Sequence, residues 1–467
     1  MLFRVILLIF VLVVGSTQGL VKLHEAVDPV DDGNRYIIAL QHNKRVDEFE
    51  EKVSELTEND DTFEYEVLWK IETGLKFLFV QMNEATLNAI REYDDVAFIE
   101  QDGWLHIQSK STGENKKKKK GKSKNIPKKK KKDGTPTDQW GLDRIDQRNL
   151  PLDGVFSVDP SAGKGASIYI VGTGIFVQHE DFGGRASNIY DYRGEDFNGR
   201  DCNGHGTHLA SIAAGNKYGV AKNASIYGMR ITRCRGSGKI SDAVQAMQWL
   251  SENYKWPGVA LIGVGSTGDS PSLDNAIHRI YLKGCMVVLP AGNNNSLACD
   301  VSPGRMQMPI TVAASTRSDY PVYFSNQGSC VDIIAPGMGI EAAYYHGDKT
   351  YVDSHAGTSV ASAYVTGAVA MHMGNGMPPF KIKDYLLRHA SEDQIHQLKE
   401  GTPNKFLYVG KVTSTDDYER VVPKMKNEEK EDEKKKDDDD KEGNDAEKDG
   451  EEESPNSSSQ NDAKTEL

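Results

Sequence analysis

Two short segments hold residue types that together can cleave an acyl bond. Asp201-Cys-Asn-Gly-His-Gly-Thr-His-Leu-Ala210 opens a run of small residues with a histidine, His205, and Gly357-Thr-Ser-Val-Ala-Ser362 opens another with a serine, Ser359. A serine at a helix N-terminus lies beside backbone N–H groups able to stabilise an oxyanion. A histidine within hydrogen-bond reach can take its proton. Each segment alone has a plainer use, because an isolated Gly-Thr-Ser commonly caps a helix and an isolated histidine commonly satisfies a core hydrogen bond. A third segment, Gly172-Thr-Gly174, could begin a dinucleotide fingerprint, but Val177 stands where the third glycine is required.

These residues need a scaffold, and the hydropathy pattern supplies one. From Trp140 to about Gly410, short apolar runs read as strands: Ser167–Val171, Ile226–Ile231, Val259–Ile262, Met286–Leu289 and Ile310–Ala313. Helical segments are expected near Asp242–Asn253, Ser272–Lys283 and Ser359–Met373. Alternating β and α units predict an α/β fold, a parallel sheet with helices on both faces. In such folds the reactive groups gather at the carboxyl ends of the strands. Upstream, residues 35–108 read as strand, helix, two strands, helix and strand, a small open-faced α+β domain. Nothing in that domain has the look of an active site.

Composition divides the remainder. Met1 to Val14 places one positive charge before an apolar run, and small residues at Thr17 and Gly19 complete a secretory signal peptide. The run is shorter than the roughly 20 residues that span a bilayer, so no membrane span is expected. Lys110 to Lys132 holds thirteen lysines against one acid, too polar and self-repelling to fold. No aromatic residues interleave with it, which argues against nucleic acid as a partner. Beyond about Val412 the chain is Glu, Asp, Lys, Ser and Asn with almost no large apolar residue, so it cannot offset its ordering entropy. The expected organisation is a signal peptide at 1–19, an α+β domain at 20–109, a disordered linker at 110–137, the α/β domain at 138–411 and a disordered acidic tail at 412–467. Most of the net charge of -13 belongs to that tail.

Five cysteines, Cys202, Cys234, Cys285, Cys299 and Cys330, all lie in the α/β region. An oxidising compartment favours disulfides, and an odd count leaves one thiol over. No C-x-x-C or paired Cys/His spacing appears, so no metal site is expected.

Taken together and in this order, the motifs of Trp140 to Gly410 resemble the subtilisin superfamily of serine proteases, in its proteinase K-like branch. Trp140-Gly-Leu-Asp-Arg-Ile-Asp-Gln-Arg148 is similar to that branch's mature N-terminus, the His205 and Ser359 segments to its second and third catalytic motifs, and Ala291-Gly-Asn293 to its oxyanion segment. Residues 35–108 resemble its inhibitory propeptide, with Phe98-Ile-Glu-Gln-Asp102 near the end. The resemblance implies a subtilisin-like domain at 138–411 and a propeptide domain at 20–109. It also implies Ser359 as nucleophile, His205 as general base and Asn293 as partner of the Ser359 N–H in holding the oxyanion. It pairs Cys202 with Cys234 and Cys299 with Cys330. No cofactor is required, and the partners are a polypeptide substrate or peptide ligand and the chain's own propeptide domain.

One position departs. The family's first motif, a strand running into Asp-Thr/Ser-Gly, is here Ile168-Tyr-Ile-Val-Gly172-Thr-Gly-Ile175, with glycine in place of the catalytic Asp. Glu180 and Asp181 are near in sequence but fall on the following loop. In subtilisin, loss of the Asp alone costs about 3 × 10⁴ in kcat, roughly 6 kcal/mol. The cleft strand usually reading Ser-Leu-Gly-Gly is Gly263-Val-Gly-Ser266, Pro290 precedes the oxyanion segment, and Ala363-Tyr364 replaces Pro-His after the serine motif.

Three functions fit this sequence: a pseudoprotease that binds peptides or partners, a slow endopeptidase using Ser359 and His205, and a calcium-buffering lumenal protein. The third rests on the tail, whose unstructured carboxylates would bind Ca²⁺ only weakly. Lys464-Thr-Glu-Leu467 is one residue from the Lys-Asp-Glu-Leu retrieval signal, so the endoplasmic-reticulum lumen and the extracellular space are both expected destinations. Sequons begin at Asn223, Asn294 and Asn456.

Overall fold

A computed structural model describes residues 20–410 apart from 32, 112–133, 159–160, 195–196 and 347–348. The expected signal peptide, most of the lysine-rich linker, the acidic tail with its C-terminal tetrapeptide, and the Asn456 sequon lie outside these residues.

Strand Arg35–Leu40 shows how the N-terminal domain is built. Its residues from Tyr36 to Leu40 are all buried, which a period-2 element achieves only when both its faces are covered. Tyr36, Ile38 and Leu40 face a core that includes Phe49, Val53, Leu87 and Ile90 from helices Val46–Asn59 and Glu84–Ile90. Ile37 and Ala39 point the other way, with Ile71, Phe77 and Phe79, into a core shared with Ile240, Val244, Leu273 and Ile277 of the larger domain. The five strands run Leu23–His24, Val96–Gln101, Arg35–Leu40, Phe77–Met82 and Tyr65–Ile71 across the sheet. The open face is thus the face that docks.

The larger domain carries a nine-stranded sheet. Its order is Ala186–Asp191, Ser225–Arg230, Ser167–Gly172, Gly258–Ile262, Met286–Pro290, Ile310–Ser315, Ile333–Pro336, Lys405–Phe406 and Ser391–Glu392. All neighbouring pairs are parallel except the last. The α/β architecture expected from sequence is therefore present. Helices Ile240–Asn253 and Pro271–Leu282 pack together on one side, and His205–Ala214 and Thr358–Gly374 on the other. The last of these is buried from Thr358 to Met373, as a helix apolar all round must be.

Several elements were not expected. Helix Trp140–Ile145 is short and is held from outside itself by the buried Arg144–Asp319 ion pair. A hairpin, Ile340–His346 with Lys349–Ala356, leads into the Ser359 helix. Lys110–Ser111 and Thr135–Pro136, assigned by composition to the linker, are paired as short strands. Among the described residues, no helix is long and apolar enough to cross a membrane.

Candidate active site

His205 is the first residue of its helix, behind Gly204 at φ 105°, a conformation that suits glycine. A side chain at Gly204 would collide with Tyr344 and Tyr345, and one at Gly206 with the Gly174 carbonyl. Those glycines let the turn after strand Ser167–Gly172 lie directly on the helix end. Buried Asp201 holds the approach by accepting from Asn203 N, Gly204 N, Thr207 N and Thr207 Oγ1 at 2.9, 2.8, 3.0 and 2.6 Å. Its neighbour Cys202 is bonded to Cys234, and Cys299 to Cys330. Cys285 is a buried free thiol whose pKa burial pushes up.

Ser359 enters from the opposite side of the cleft. Asn293 Oδ1 accepts from Thr358 N at 3.0 Å and Thr358 Oγ1 at 3.1 Å, which leaves its NH₂ end as the donor on the side away from Thr358. His205 Nε2 and Ser359 Oγ are 3.0 Å apart and both buried. The structure therefore brings His205, Ser359 and Asn293 to one place.

The other end of the imidazole is different. Gly172 ends strand Ser167–Gly172, and a Cβ built on it would, chain neighbours aside, have His205 Nδ1 as its one heavy-atom neighbour within 4 Å, at 4.0 Å. That Nδ1 is buried and has no hydrogen-bond partner among the described residues. Burial, with a smaller effect of nearby His355, pushes the imidazole down to about 3. The nearby acid Asp181 is engaged elsewhere, accepting from Ser211 Oγ at 2.6 Å and Lys217 N at 2.7 Å.

The cleft is filled by the chain itself. Strand Trp104–Ile107 lies antiparallel between Ser237–Lys239 and Val264–Gly265. Gln108 N donates to Gly263 O at 3.3 Å. The Gln108 carbonyl accepts from Ser359 N at 3.3 Å and lies 2.8 Å from Ser359 Oγ. Beyond it, Lys110 and Ser111 pair with Ala356 and His355. The Gln108–Ser109 bond thus lies across Ser359. Sequence reading of residues 35–108 alone could not find this contact, because the pairing edges belong to the other domain.

Two carboxylates anchor the segment. Glu100 accepts from Ser270 Oγ at 2.5 Å and Ser272 N at 2.7 Å, at the start of helix Pro271–Leu282. Asp102 accepts from Ser241 N at 3.0 Å and Ser241 Oγ at 2.6 Å, at the start of helix Ile240–Asn253. Burial raises both pKa values, that of Glu100 to about 7. Among the described residues, no group of three His, Cys, Asp or Glu could hold a metal ion.

Residues 163–410 match the profile of the subtilase family, Peptidase S8. Alkaline serine exoprotease A of Vibrio alginolyticus is 40% identical over 271 residues, 58% of this chain and 50% of that protein. The extracellular serine proteinase of a Thermus species is 40% identical over 58% of this chain and 65% of its own length. Subtilisin-like protease 8 of Arthroderma benhamiae is 32% identical over 370 residues, 73% of this chain and 70% of that one. Among solved structures, a cold-adapted subtilisin-like serine proteinase superposes with TM-score 0.55 and 42% identity, covering 58% of this chain and 97% of that one. Fervidolysin from Fervidobacterium pennivorans, at TM-score 0.63 and 18% identity over 83% of this chain and 62% of its own, shares the fold.

Proposed function

The chain belongs to the subtilase family of serine proteases, and from that premise we propose that it is a pseudoprotease of the secretory pathway, a peptide-binding subtilase with its turnover crippled. Ser359 is the nucleophile, His205 the base and Asn293 the oxyanion donor of the ancestral reaction. The observation that carries the reading is the unpaired His205 Nδ1 facing Gly172.

The consequence follows from counting protons. In the family reaction, the Ser359 hydroxyl adds to the substrate carbonyl carbon while His205 Nε2 takes its proton. The imidazolium then gives that proton to the leaving nitrogen as the C–N bond breaks, and water repeats the sequence to free the acid. Nε2 must begin unprotonated, so the proton must sit on Nδ1, where the family's Asp holds it. With no acceptor at Nδ1 among the described residues, the other tautomer makes one hydrogen bond more: Nε2–H donates to Ser359 Oγ, and Ser359 O–H donates to Gln108 O. In that arrangement the serine has no base. The resulting imidazolium would also lack a counter-charge, and the two defects together correspond to the roughly 6 kcal/mol.

A second reading, one slow intramolecular cut, is favoured by the 2.8 Å approach of Ser359 Oγ to Gln108 O. A loss of about 3 × 10⁴ from a step of order 1 s⁻¹ still leaves a half-life of hours. The test joins peptide hydrolysis, fluorophosphonate labelling and N-terminal sequencing of the purified protein and of Ser359→Ala. The expected results are negligible turnover, no label, and a terminus between about Lys117 and Asp133, made in trans within the lysine-rich stretch and unchanged by the substitution. Turnover at about 1–10³ s⁻¹ overturns the pseudoprotease, and a terminus at Ser109 that vanishes in Ser359→Ala establishes the slow cut. Lys464-Thr-Glu-Leu467 is read here as a retrieval signal to the endoplasmic reticulum, beside a tail that binds Ca²⁺ weakly; secretion unchanged by deleting the tetrapeptide would refute the address.

A further inference from the structure

We propose that the room between Gly172 and His205 is a binding site for a formate-sized carboxylate, which would restore to His205 the partner that the chain lacks. The inference rests on the reading of His205 and Ser359 given above. Its grounds are three observations about one small volume.

First, the position a side chain would take is open. Chain neighbours aside, the Cβ position at Gly172 has one heavy atom within 4 Å, the imidazole Nδ1 at 4.0 Å. Glycine here is not demanded by the backbone, since Gly172 lies within a regular parallel strand and is not among the glycines with positive φ. Second, three neighbouring acceptor oxygens already have donors of their own. Gly172 O accepts from Ile231 N at 2.8 Å, and Val171 O accepts from Gly263 N at 2.9 Å. Thr173 Oγ1 accepts from Gly206 N at 2.8 Å. Third, His205 is almost fully buried and its Nδ1 is aimed at this volume with no partner. A buried nitrogen left in this way carries its desolvation cost uncompensated, so a guest able to accept one hydrogen bond gains more here than on the surface.

Size and charge select the guest. The missing group is one methylene and one carboxylate. A free ion must stand off from the Gly172 Cα at van der Waals distance rather than bond length, which favours formate over the bulkier acetate. A carboxylate oxygen fixes the proton on Nδ1 and leaves Nε2 to accept from Ser359. It also supplies the counter-charge that the imidazolium needs. One charge-assisted hydrogen bond in a closed site corresponds to a dissociation constant on the order of 10–100 mM.

The experiment uses the full chain, labelled with ¹⁵N-histidine and titrated with sodium formate against sodium chloride at matched ionic strength. The His205 signal is identified by its loss in His205→Gln. The expected result is a saturable downfield shift of the Nδ1–H proton with formate and a weaker one with acetate. The Gln108–Ser109 bond should also be cut at least about tenfold faster, a small part of the roughly 3 × 10⁴ at stake. Gly172→Ala fits without collision and puts a methyl in the volume, so it should abolish both responses. No saturable shift in the natural protein, or the same shift in Gly172→Ala, overturns the site. Rapid peptide hydrolysis without formate would instead overturn the pseudoprotease, whatever the titration shows.

Discussion

At the junction of the two domains, buried hydrogen-bonding groups are met. Glu100 and Asp102 are each carried into the interior and each finds a serine hydroxyl and a helix N-terminal N–H. At the catalytic pair, buried polarity is left unmet, with His205 Nδ1 facing Gly172 and without a partner among the described residues. Removing one partner from a buried polar contact costs more than the contact itself is worth, so the same accounting applies to both places and gives opposite answers. The groups that hold the segment in the cleft are hydrogen-bonded on both sides, whereas His205 is bonded on one side alone among the described residues. On the function proposed above, binding and chemistry have separated.

The largest effect expected from breaking this contrast is in Gly172→Asp. Peptide hydrolysis should rise by about 10³-fold or more, within a ceiling of roughly 3 × 10⁴, because Pro290 and Gly263 still shape the cleft away from the family pattern. Initial rates on a chromogenic peptide measure it; an unchanged rate would show that the defect lies elsewhere.

Next comes the pH dependence of folding. The His205 pKa falls from 6.5 unfolded to about 3 folded, so below 6.5 the unfolded chain binds more protons and acidification from 6.5 to 3 destabilises the fold, by up to about 5 kcal/mol. Glu100, raised from 4.5 to about 7, acts with opposite sign: its contribution falls as pH rises from 4.5 to 7. Urea midpoints for His205→Gln should therefore drop less than those of the natural protein between pH 6 and pH 4. An identical drop would show that the imidazole is solvated.

Smaller again is the loss of Cys202–Cys234, which closes a loop of sequence separation 32 just ahead of His205. Replacing both with serine should cost about 3–4 kcal/mol, read from thermal unfolding. The smallest effect sharpens the intact side: Glu100→Ala removes the acceptor of Ser272 N and Ser270 Oγ at the start of helix Pro271–Leu282 and should cost about 1–2 kcal/mol, while protease nicking near Trp104 increases. Nicking that stays the same would show that Glu100 does not anchor the segment.

How much of this could be read from residues differs by region. The strands of the large sheet are short apolar runs between turn residues, and His205, Ser359, Asn293 and Gly172 sit in motifs whose order identifies them. The hairpin of Ile340–His346 and Lys349–Ala356 escaped because buried positions on both its faces, Ala342 and Ala343 among them, are small and have weak strand preference. Strand Trp104–Ile107 is four residues long and owes its conformation to edges contributed by residues more than a hundred positions away. The run Tyr36–Leu40 shows two apolar faces but not what covers them. Gly172 is visible in the sequence; that no group among the described residues reaches His205 Nδ1 is a statement about neighbours in space.

The strand pairings of Trp104–Ile107 and Lys110–Ser111 have a further consequence for any outside ligand. A segment joined to its own cleft competes as if present at about millimolar effective concentration, so an incoming peptide is weakened by the ratio of that concentration to the segment's own dissociation constant. A cut anywhere in residues 112–133 leaves the segment in place but severs its tie to the domain it occupies. From then on occupancy falls on dilution, and the cleft becomes available to other chains in proportion to how dilute the protein is.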